Sequence, residues 1–187
     1  DKFRVEPIIF NFNDDPMIIS GSNSGTLYSI DKNGNLIFSY ETNSEITTSP
    51  SIHFIDNHPH IVFGNSNGDI YAIDTDGNLN ENFPLNIGNS IAGSIMFADL
   101  NNDNIDEMIV VDDIGFLHII NSDFTNYQNT PIEYDFSFSS SPQIYDIDMD
   151  GDLEILAGTV NSLYIADIKQ SSQLNDSWSI FKANHKR

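Results

Sequence analysis

The chain contains 187 residues, of which 28 are acidic and 7 are basic, so its formal net charge is −21 at pH 7. Binding to nucleic acids or to anionic membranes needs Lys and Arg opposite the phosphates, so this composition excludes both classes of partner. Cysteine is absent, which excludes disulfides and thiolate metal sites. No segment approaches the roughly 18 consecutive apolar residues of a membrane helix, so membrane insertion is not expected.

The basic residues are unevenly distributed along the chain. No Lys or Arg occurs between Lys32 and Lys169, whereas 22 Asp and Glu residues fall in that stretch. Ordinary ion pairs cannot form there, so the carboxylates must stay hydrated, be screened by salt or meet metal cations. This stretch is therefore a candidate for binding metal cations.

Two short sequence patterns recur at a nearly constant spacing. The first recurs at steps of 43, 47 and 46 residues, as LYSID (27–31), IYAID (70–74), LHIIN (117–121) and LYIAD (163–167). The second recurs at steps of 43, 45 and 47 residues, as EPII (6–9), SPSI (49–52), SIMF (94–97) and SPQI (141–144). Two independent patterns with one spacing indicate four copies of a structural unit.

Each repeat has the composition of short β-strands joined by tight turns. Runs of four to six residues rich in Ile, Val, Phe and Tyr alternate with clusters of Asn, Asp, Ser and Gly. No stretch of a dozen residues shows helical periodicity with capping residues. Four strands in a repeat of about 45 residues are typical of β-propeller blades, whereas a β-sandwich would not repeat regularly and a β-solenoid has shorter coils.

We therefore predict an all-β fold, a β-propeller-type array of four four-stranded antiparallel blades. It would form a single domain over residues 1–187, as a small closed propeller or as part of a larger one. The fourth strand of the last blade is expected at residues 178–181, where Trp178 would pack in the core. The approximate blade limits are 5–45, 46–90, 91–138 and 139–182.

Repeats three and four carry an acidic loop between their first and second strands. The loops read DLNNDNIDE (99–107) and DIDMDGDLE (146–154). Positions 1, 3, 5 and 9 carry side-chain oxygens, and alternate residues of a tightly wound loop can point to one centre. Position 7 would add a backbone carbonyl. Oxygen ligands alone favour calcium, so we predict two Ca²⁺ sites, formed by Asp99, Asn101, Asp103, Ile105 and Glu107, and by Asp146, Asp148, Asp150, Asp152 and Glu154.

An EF-hand would require a Glu at position 12 and flanking helices. Position 12 is Val110 or Ala157, and the flanking segments are predicted strands, so the EF-hand interpretation fails. Bound calcium would instead cross-link two strands by neutralising carboxylates that repel one another. The shorter segments 13–16 and 56–60 of repeats one and two lack these ligands.

The acidic loops, each followed by an apolar strand such as EILAG (154–158), resemble the FG-GAP/VCBS-type repeat of integrin α-subunit propellers and bacterial secreted proteins. Residues 64–74 also resemble a quinoprotein-like blade pattern. The resemblance spans all four repeats and is specific only at the two loops. It implies calcium held by blade loops, an extracellular or cell-surface location, and binding or adhesion more often than catalysis.

The sequence thus predicts a calcium-stabilised extracellular binding or adhesion module without catalytic activity, for a protein or glycan ligand. No G-x-S-x-G elbow, phosphate-binding glycine loop or H-E-x-x-H helix is present. Two alternatives stay open: a propeller domain of a secreted polysaccharide lyase or hydrolase, and a purely structural scaffold. Self-association, or continuation of the polypeptide into further blades, is compatible with either.

Overall fold

The computed structural model describes residues 1–13, 15–174 and 178–179. These residues form fifteen β-strands in four antiparallel sheets and no helix. None of the described elements is a helix long and apolar enough to cross a membrane. The predicted all-β blade array is confirmed. The chain divides into two compact units, Asp1–Ile91 and Ala92–Arg187, and the assignment of residues 1–187 to a single domain stays a prediction.

The first unit contains sheets one and two, in which each strand pairs with the strand that follows it. The strands of sheet one are β1 (Ile8–Phe12), β2 (Asp15–Gly21), β3 (Thr26–Ile30) and β4 (Leu36–Glu41). Those of sheet two are β5 (Ser51–Ile55), β6 (His58–Gly64), β7 (Asp69–Asp74) and β8 (Leu85–Asn86).

The second unit contains sheets three and four, which have the same up-and-down order. The strands of sheet three are β9 (Met96–Ala98), β10 (Glu107–Val111), β11 (Phe116–Ile120) and β12 (Ile132–Glu133). Those of sheet four are β13 (Gln143–Tyr145), β14 (Asp152–Gly158) and β15 (Leu163–Ser171).

Sheet four has three strands among the described residues. The fourth was predicted at residues 178–181, of which 180 and 181 lie outside the described part of the chain. The carbonyl oxygens of Trp178 and Ser179 accept hydrogen bonds from the backbone N–H groups of Phe97 and Ile144, at 3.0 Å each. These donors belong to β9 and β13, the first strands of sheets three and four, so Trp178 and Ser179 lie beside those strands and not at the outer edge of β15.

A capping side chain stands at the same position of every repeat, directly after the second strand. The four residues are Ser22, Asn65, Asp112 and Thr159. Asp112 Oδ1, for example, accepts hydrogen bonds from the N–H groups of Gly115 at 2.9 Å and Phe116 at 2.8 Å. Such bonds satisfy the backbone of a tight turn. These hydrogen bonds fix the register of the second and third strands in each sheet, although the capping residue differs from one sheet to the next.

The core of the second unit lies between sheets three and four. Met96, Ile109 and Leu117 of sheet three belong to the same buried cluster as Ile144 and Ile155 of sheet four. Each fully buried side chain of this kind contributes roughly 1.5–3 kcal/mol to folding. Face-to-face packing of neighbouring sheets is therefore what stabilises this unit.

In the first unit, Ile46 contacts both sheet one and sheet two. Its N–H donates to the carbonyl of Ser22 at 3.3 Å, and it forms an isolated β-bridge with Asn65. The fully buried Ile46 side chain packs on the backbone of Gly21, where an added Cβ would lie 2.4 Å from Ile46 Cγ2 and 2.8 Å from Ile46 Cβ. Only glycine leaves room for this contact.

Replacing this glycine tests the packing. We expect Gly21→Ala to lower the free energy of unfolding by about 1–3 kcal/mol, because the new methyl group overlaps a branched side chain that has no space to move. Urea denaturation measures the change, with Asn11→Ala at an exposed position of β1 as the control. Equal midpoints for Gly21→Ala and the parent chain would contradict this account.

Candidate metal centre

The two acidic loops lie at equivalent places of the second unit, between the first and second strands of their sheets. Loop three is defined as residues 99–107 and loop four as residues 146–154. Each contains two residues in the left-handed backbone region, Asn102 (φ 61°) and Asn104 (φ 68°) in loop three, and Met149 (φ 62°) and Gly151 (φ 94°) in loop four. These left-handed residues allow each loop to turn tightly.

Loop four gathers four carboxylates into one cluster. Oxygen atoms of the four residues all lie within 4.8 Å of one another, and the residues are Asp148, Asp150, Asp152 and Glu154. Asp148 and Asp150 are exposed, whereas Glu154 is only 5% exposed. Asp152 contributes a side-chain oxygen to this cluster, whereas the sequence predicted that its backbone carbonyl would be the ligand. Asp146 lies outside this cluster of four.

Three buried oxygens at loop four have no hydrogen-bond donor. They are Oδ1 of Asp146, Oδ1 of Asp152 and Oε1 of Glu154. The second oxygen of Glu154 accepts from the N–H of Ile147 at 2.6 Å. Burying a carboxylate oxygen without a partner is costly, and a bound cation would supply the missing positive charge.

Crowding of the carboxylates also perturbs their ionisation. Hydrogen bonding with the Asp150 carboxyl raises the pKa of Asp152 to about 6, and desolvation and repulsion from Asp150 and Asp167 add to the effect. The same interaction lowers the pKa of Asp150. Two carboxylates with oxygens within 4.8 Å of each other are close enough to share a metal ion.

Loop three has nearly the same sequence pattern, but its carboxylates do not form such a cluster in the described chain. The fully buried Asp99 accepts hydrogen bonds from the N–H groups of Asp103 at 3.1 Å and Asn104 at 2.8 Å, and from Nε2 of Gln173 at 3.0 Å. Burial disfavours ionisation of Asp99, yet these bonds hold its pKa below the ordinary range. Asp103 Oδ1 accepts from the N–H of Ile105 at 2.8 Å.

Asn101 marks the chemical difference between the loops. Its amide Nδ2 donates to Oε1 of Glu107 at 3.0 Å, and the N–H of Leu100 donates to Oε2 of Glu107 at 2.7 Å. Both oxygens of Glu107 are therefore satisfied, although burial raises the pKa of this carboxyl to about 7. Loop four has Asp148 at the position of Asn101 and lacks this amide donor, which leaves Oε1 of Glu154 without a partner.

The ten sequence-predicted residues thus lie in two loops of unequal character, and only Asp148, Asp150, Asp152 and Glu154 form a carboxylate cluster among the described residues. The structure adds one residue that sequence reasoning missed, Gln173, which also donates through its backbone N–H to the carbonyl of Asp99 at 2.9 Å. No pattern could have found this residue, since it lies 74 positions from Asp99 in the sequence. The side-chain role of Asp152 could have been read from the acidic residue at position 7.

No protein-family model and no curated protein match this sequence. Solved structures do match. A crystal structure of BBS1N in complex with ARL6DN has a TM-score of 0.65 and 16% identity, covering 89% of this chain and 47% of that one. The structure of BamB from Moraxella catarrhalis has a TM-score of 0.60 and 15% identity, covering 89% of this chain and 46% of BamB. The structure of Sqt1 from Saccharomyces cerevisiae has a TM-score of 0.60 and 12% identity, covering 81% of this chain and 40% of Sqt1.

The chain is a β-propeller-type blade array. The likeness rests on the fold alone, since these identities are low. The chain spans less than half the length of each of these three matched proteins. The similarity therefore extends over only part of each matched structure.

The histidines of sheet two form a separate polar group. His53 and His60 lie directly opposite each other on β5 and β6. His60 Nδ1 lies 2.9 Å from the carbonyl oxygen of His58, and His58 Nδ1 lies 2.8 Å from that of Asp56. These side chains do not converge as metal ligands within the described residues. Burial, with a smaller effect from His60, lowers the pKa of His53 to about 4.

This shift predicts a loss of stability in mild acid. In the unfolded chain His53 takes up a proton below a pKa of about 6.5, whereas in the folded chain it stays neutral until about pH 4. Its contribution to folding is therefore complete above pH 6.5 and declines as the pH falls toward 4.

The chelator-treated chain and its His53→Gln variant are compared by thermal melting at neutral pH and near pH 4.5. We expect the melting temperature of the variant to fall less between the two conditions, because glutamine does not titrate. Equal falls in both proteins would contradict the assignment to His53.

Proposed function

We propose that this chain is a calcium-stabilised β-propeller binding module that functions outside the cell. The observation that carries the proposal is the carboxylate cluster of loop four, with three buried oxygens that lack donors. The resemblance of both loops to FG-GAP/VCBS repeats supports the same function. The ligand class that we favour is a protein, because the neighbouring fold of BBS1N was crystallised in complex with ARL6DN.

Calcium fits the donor set better than other common ions. The cluster contains oxygen atoms only, whereas zinc and copper sites use imidazole or thiolate ligands. Calcium accepts six to eight oxygens in irregular geometry, whereas magnesium demands a nearly ideal octahedron and keeps several waters. A wound loop with four carboxylates and exposed members at its rim suits the larger ion.

Loop four is the stronger of the two proposed sites. Its four acidic ligands bring more negative charge than the three acids of loop three, where Asn101 and Gln173 already satisfy the buried oxygens. An ion entering loop three must displace those hydrogen bonds, whereas an ion entering loop four relieves repulsion. We therefore propose that loop four binds calcium first and loop three second.

Calcium should stabilise the second unit through loop four. The ligands lie on the segment that joins β13 to β14 and on the first residues of β14, so a bound ion would tie the end of one strand to the beginning of the next. Mass action gives about 2.7 kcal/mol of stabilisation when free calcium is a hundredfold above the dissociation constant.

Thermal melting tests this proposal. EDTA should lower the melting temperature, and calcium but not an equal concentration of magnesium should restore it. Asp150→Asn and Glu154→Gln should remove most of this response, because each deletes a ligand charge. Asp113→Asn, at an exposed turn of sheet three, is the matched control. A melting curve that EDTA does not change, with no heat of calcium binding by calorimetry, would overturn the proposal.

The order of filling has its own test. Asn101→Asp should raise the calcium affinity of loop three by about tenfold or more, because it replaces an amide donor with a ligand charge. Asn102→Asp adds the same charge at the adjacent exposed position and should leave that affinity nearly unchanged. Calorimetry resolves the two sites. If both variants behave alike, general electrostatics and not ligand identity would explain the gain.

The absence of catalysis in this proposal is also open to test. The calcium-loaded chain is incubated with a panel of neutral and anionic polysaccharides, and released sugar ends are measured. Release of products that depends on the chain, and that is lost on substitution of one acidic side chain, would replace the binding module with the polysaccharide-degrading alternative.

A further inference from the structure

Strand β15 is irregular directly opposite the ligands of loop four. Cross-strand pairing shifts between Asp152 and Glu154 of β14, so that residues 168–170 of β15 lie opposite the single residue Leu153. A bulge of this kind bends the strand and redirects the side chains that it carries. Lys169 is the middle residue of the bulge.

The backbone of Lys169 is in the left-handed region, with φ 54°. Six of the nine described non-glycine residues with positive φ are Asn or Asp, whose short polar side chains tolerate this region. Lysine lacks such a side chain, so its place here has a cost in folding free energy that other contacts must offset. The contacts of the Lys169 ammonium group are the candidates for that compensation.

The ammonium group of Lys169 contacts the carboxylate of Asp167. Asp167 is the cross-strand neighbour of Glu154, which belongs to the carboxylate cluster of loop four. The hydrogen bond to Asp167 raises the pKa of Lys169, and the negative charges of Asp152 and Asp150 add to the rise. One ammonium group is thus attracted by Asp167 and by two members of the cluster.

The sequence offers no other cation to this part of the chain. Lys169 is the only Lys or Arg between Lys32 and Lys182, and 22 acidic residues lie between Lys32 and Lys169. This one basic residue lies beside the carboxylate cluster, which is the only group of its kind that the described residues form. Its position therefore matches the cluster and not merely the general acidity of the chain.

Lys169 leaves the interior of the cluster open to an ion. Its side chain is 68% exposed, whereas Glu154 is 5% exposed and its Oε1 has no hydrogen-bond donor. The ammonium group therefore compensates charge at the rim without satisfying the buried oxygen. Loop three differs, because the Asn101 amide donates to Oε1 of the equivalent Glu107 at 3.0 Å.

We propose that Lys169 is a tethered cation that compensates the charge of loop four while calcium is absent and competes with calcium when it binds. The inference rests on the proposed function, because it concerns the affinity of the same site. The same carboxylates attract the ammonium group and the ion, and a bound divalent ion repels the ammonium group toward solvent. Lys169 thus sets the concentration of free calcium that the site requires.

A tethered competitor has two effects of opposite sign. In the calcium-free chain, its charge reduces repulsion among the carboxylates and so stabilises the second unit. In the calcium-loaded chain, the ammonium group and the ion repel each other, which weakens binding. An ordinary surface ion pair between Lys169 and Asp167 adds little stability and leaves calcium affinity unchanged. Weakened binding suits an extracellular module, whose calcium sites typically have dissociation constants of about 0.1–1 mM.

Calorimetric titration of the full 187-residue chain with calcium tests the proposal. Lys169→Met removes the charge and keeps a long unbranched side chain. We expect it to bind calcium at loop four about tenfold more tightly, because a unit charge a few ångströms from a divalent ion changes binding by about this factor in water. Lys169→Arg keeps the charge and should bind like the parent chain. Lys32→Met, whose ion-pair partner is Asp15 of sheet one, is the matched control and should change the affinity less than about twofold.

Two further variants keep the result specific. Lys169→Asn also removes the charge, and asparagine suits the left-handed backbone, so it should show the same gain if the methionine variant does not fold. Combining Lys169→Met with Glu154→Gln should abolish the gain, because the second change deletes a ligand charge of loop four. Circular dichroism checks the fold of each variant.

Thermal melting provides a readout that a merely structural role of Lys169 would not produce. In EDTA, Lys169→Met should melt below the parent chain, whereas at saturating calcium it should melt at or above the parent temperature. Equal or weaker calcium binding by Lys169→Met would overturn this inference and leave the proposed function intact. If neither the parent chain nor the variant bound calcium, both the inference and the proposed function would fail.

Discussion

The architecture depends on one constraint, that the apolar faces of neighbouring sheets must be buried against each other. Successive residues of a strand point to opposite faces, and in the middle strands of sheets two and three both sets are buried and mostly apolar. A sheet of this composition cannot be stable alone in water, because exposing either face would cost several buried side chains. Stacking of similar sheets satisfies the constraint, and it explains why repetition of one sequence pattern is sufficient to specify the fold.

The two acidic loops show how one donor can change the role of a site. Glu107 and Glu154 occupy equivalent buried positions, and each accepts a backbone N–H from the residue after the first loop aspartate. The remaining oxygen meets the Asn101 amide in loop three, whereas in loop four it faces carboxylates. A neutral amide and a carboxylate have nearly the same shape, so the two loops keep the same geometry. Only loop four, with carboxylates alone around Glu154, needs a cation to balance its buried negative charge.

Much of the fold could be predicted from the sequence, because the two recurring patterns coincide with the first and third strands of every sheet. The loops were also located correctly between the first and second strands, since clusters of polar residues interrupt the apolar runs there. The capping position after each second strand could not be predicted from the sequence, because four residue types accept the same backbone hydrogen bonds there. The residues are Ser22, Asn65, Asp112 and Thr159. Trp178 packs against the core of the second unit, as predicted, but the strands beside which it lies could not be predicted, since strand pattern alone does not say which neighbouring sheet a strand joins.

The geometry of the loops was likewise beyond sequence reasoning. Spacing indicates which oxygens can converge, but it does not show that Gln173 reaches Asp99 from a distant segment or that Asp146 stays outside the cluster of four. Those outcomes depend on tertiary contacts and on competition between backbone N–H groups and side chains for the same oxygens.

Strand β15 has a consequence for solubility. It is nine residues long, and it forms the outer edge of sheet four within the described chain. Long edge strands invite pairing with foreign strands and so promote aggregation. Exposed Lys169, which forms an ion pair with Asp167, places charge on the second half of this edge. A charged pair at that place opposes uncontrolled fibre growth while the apolar first half of the strand stays accessible.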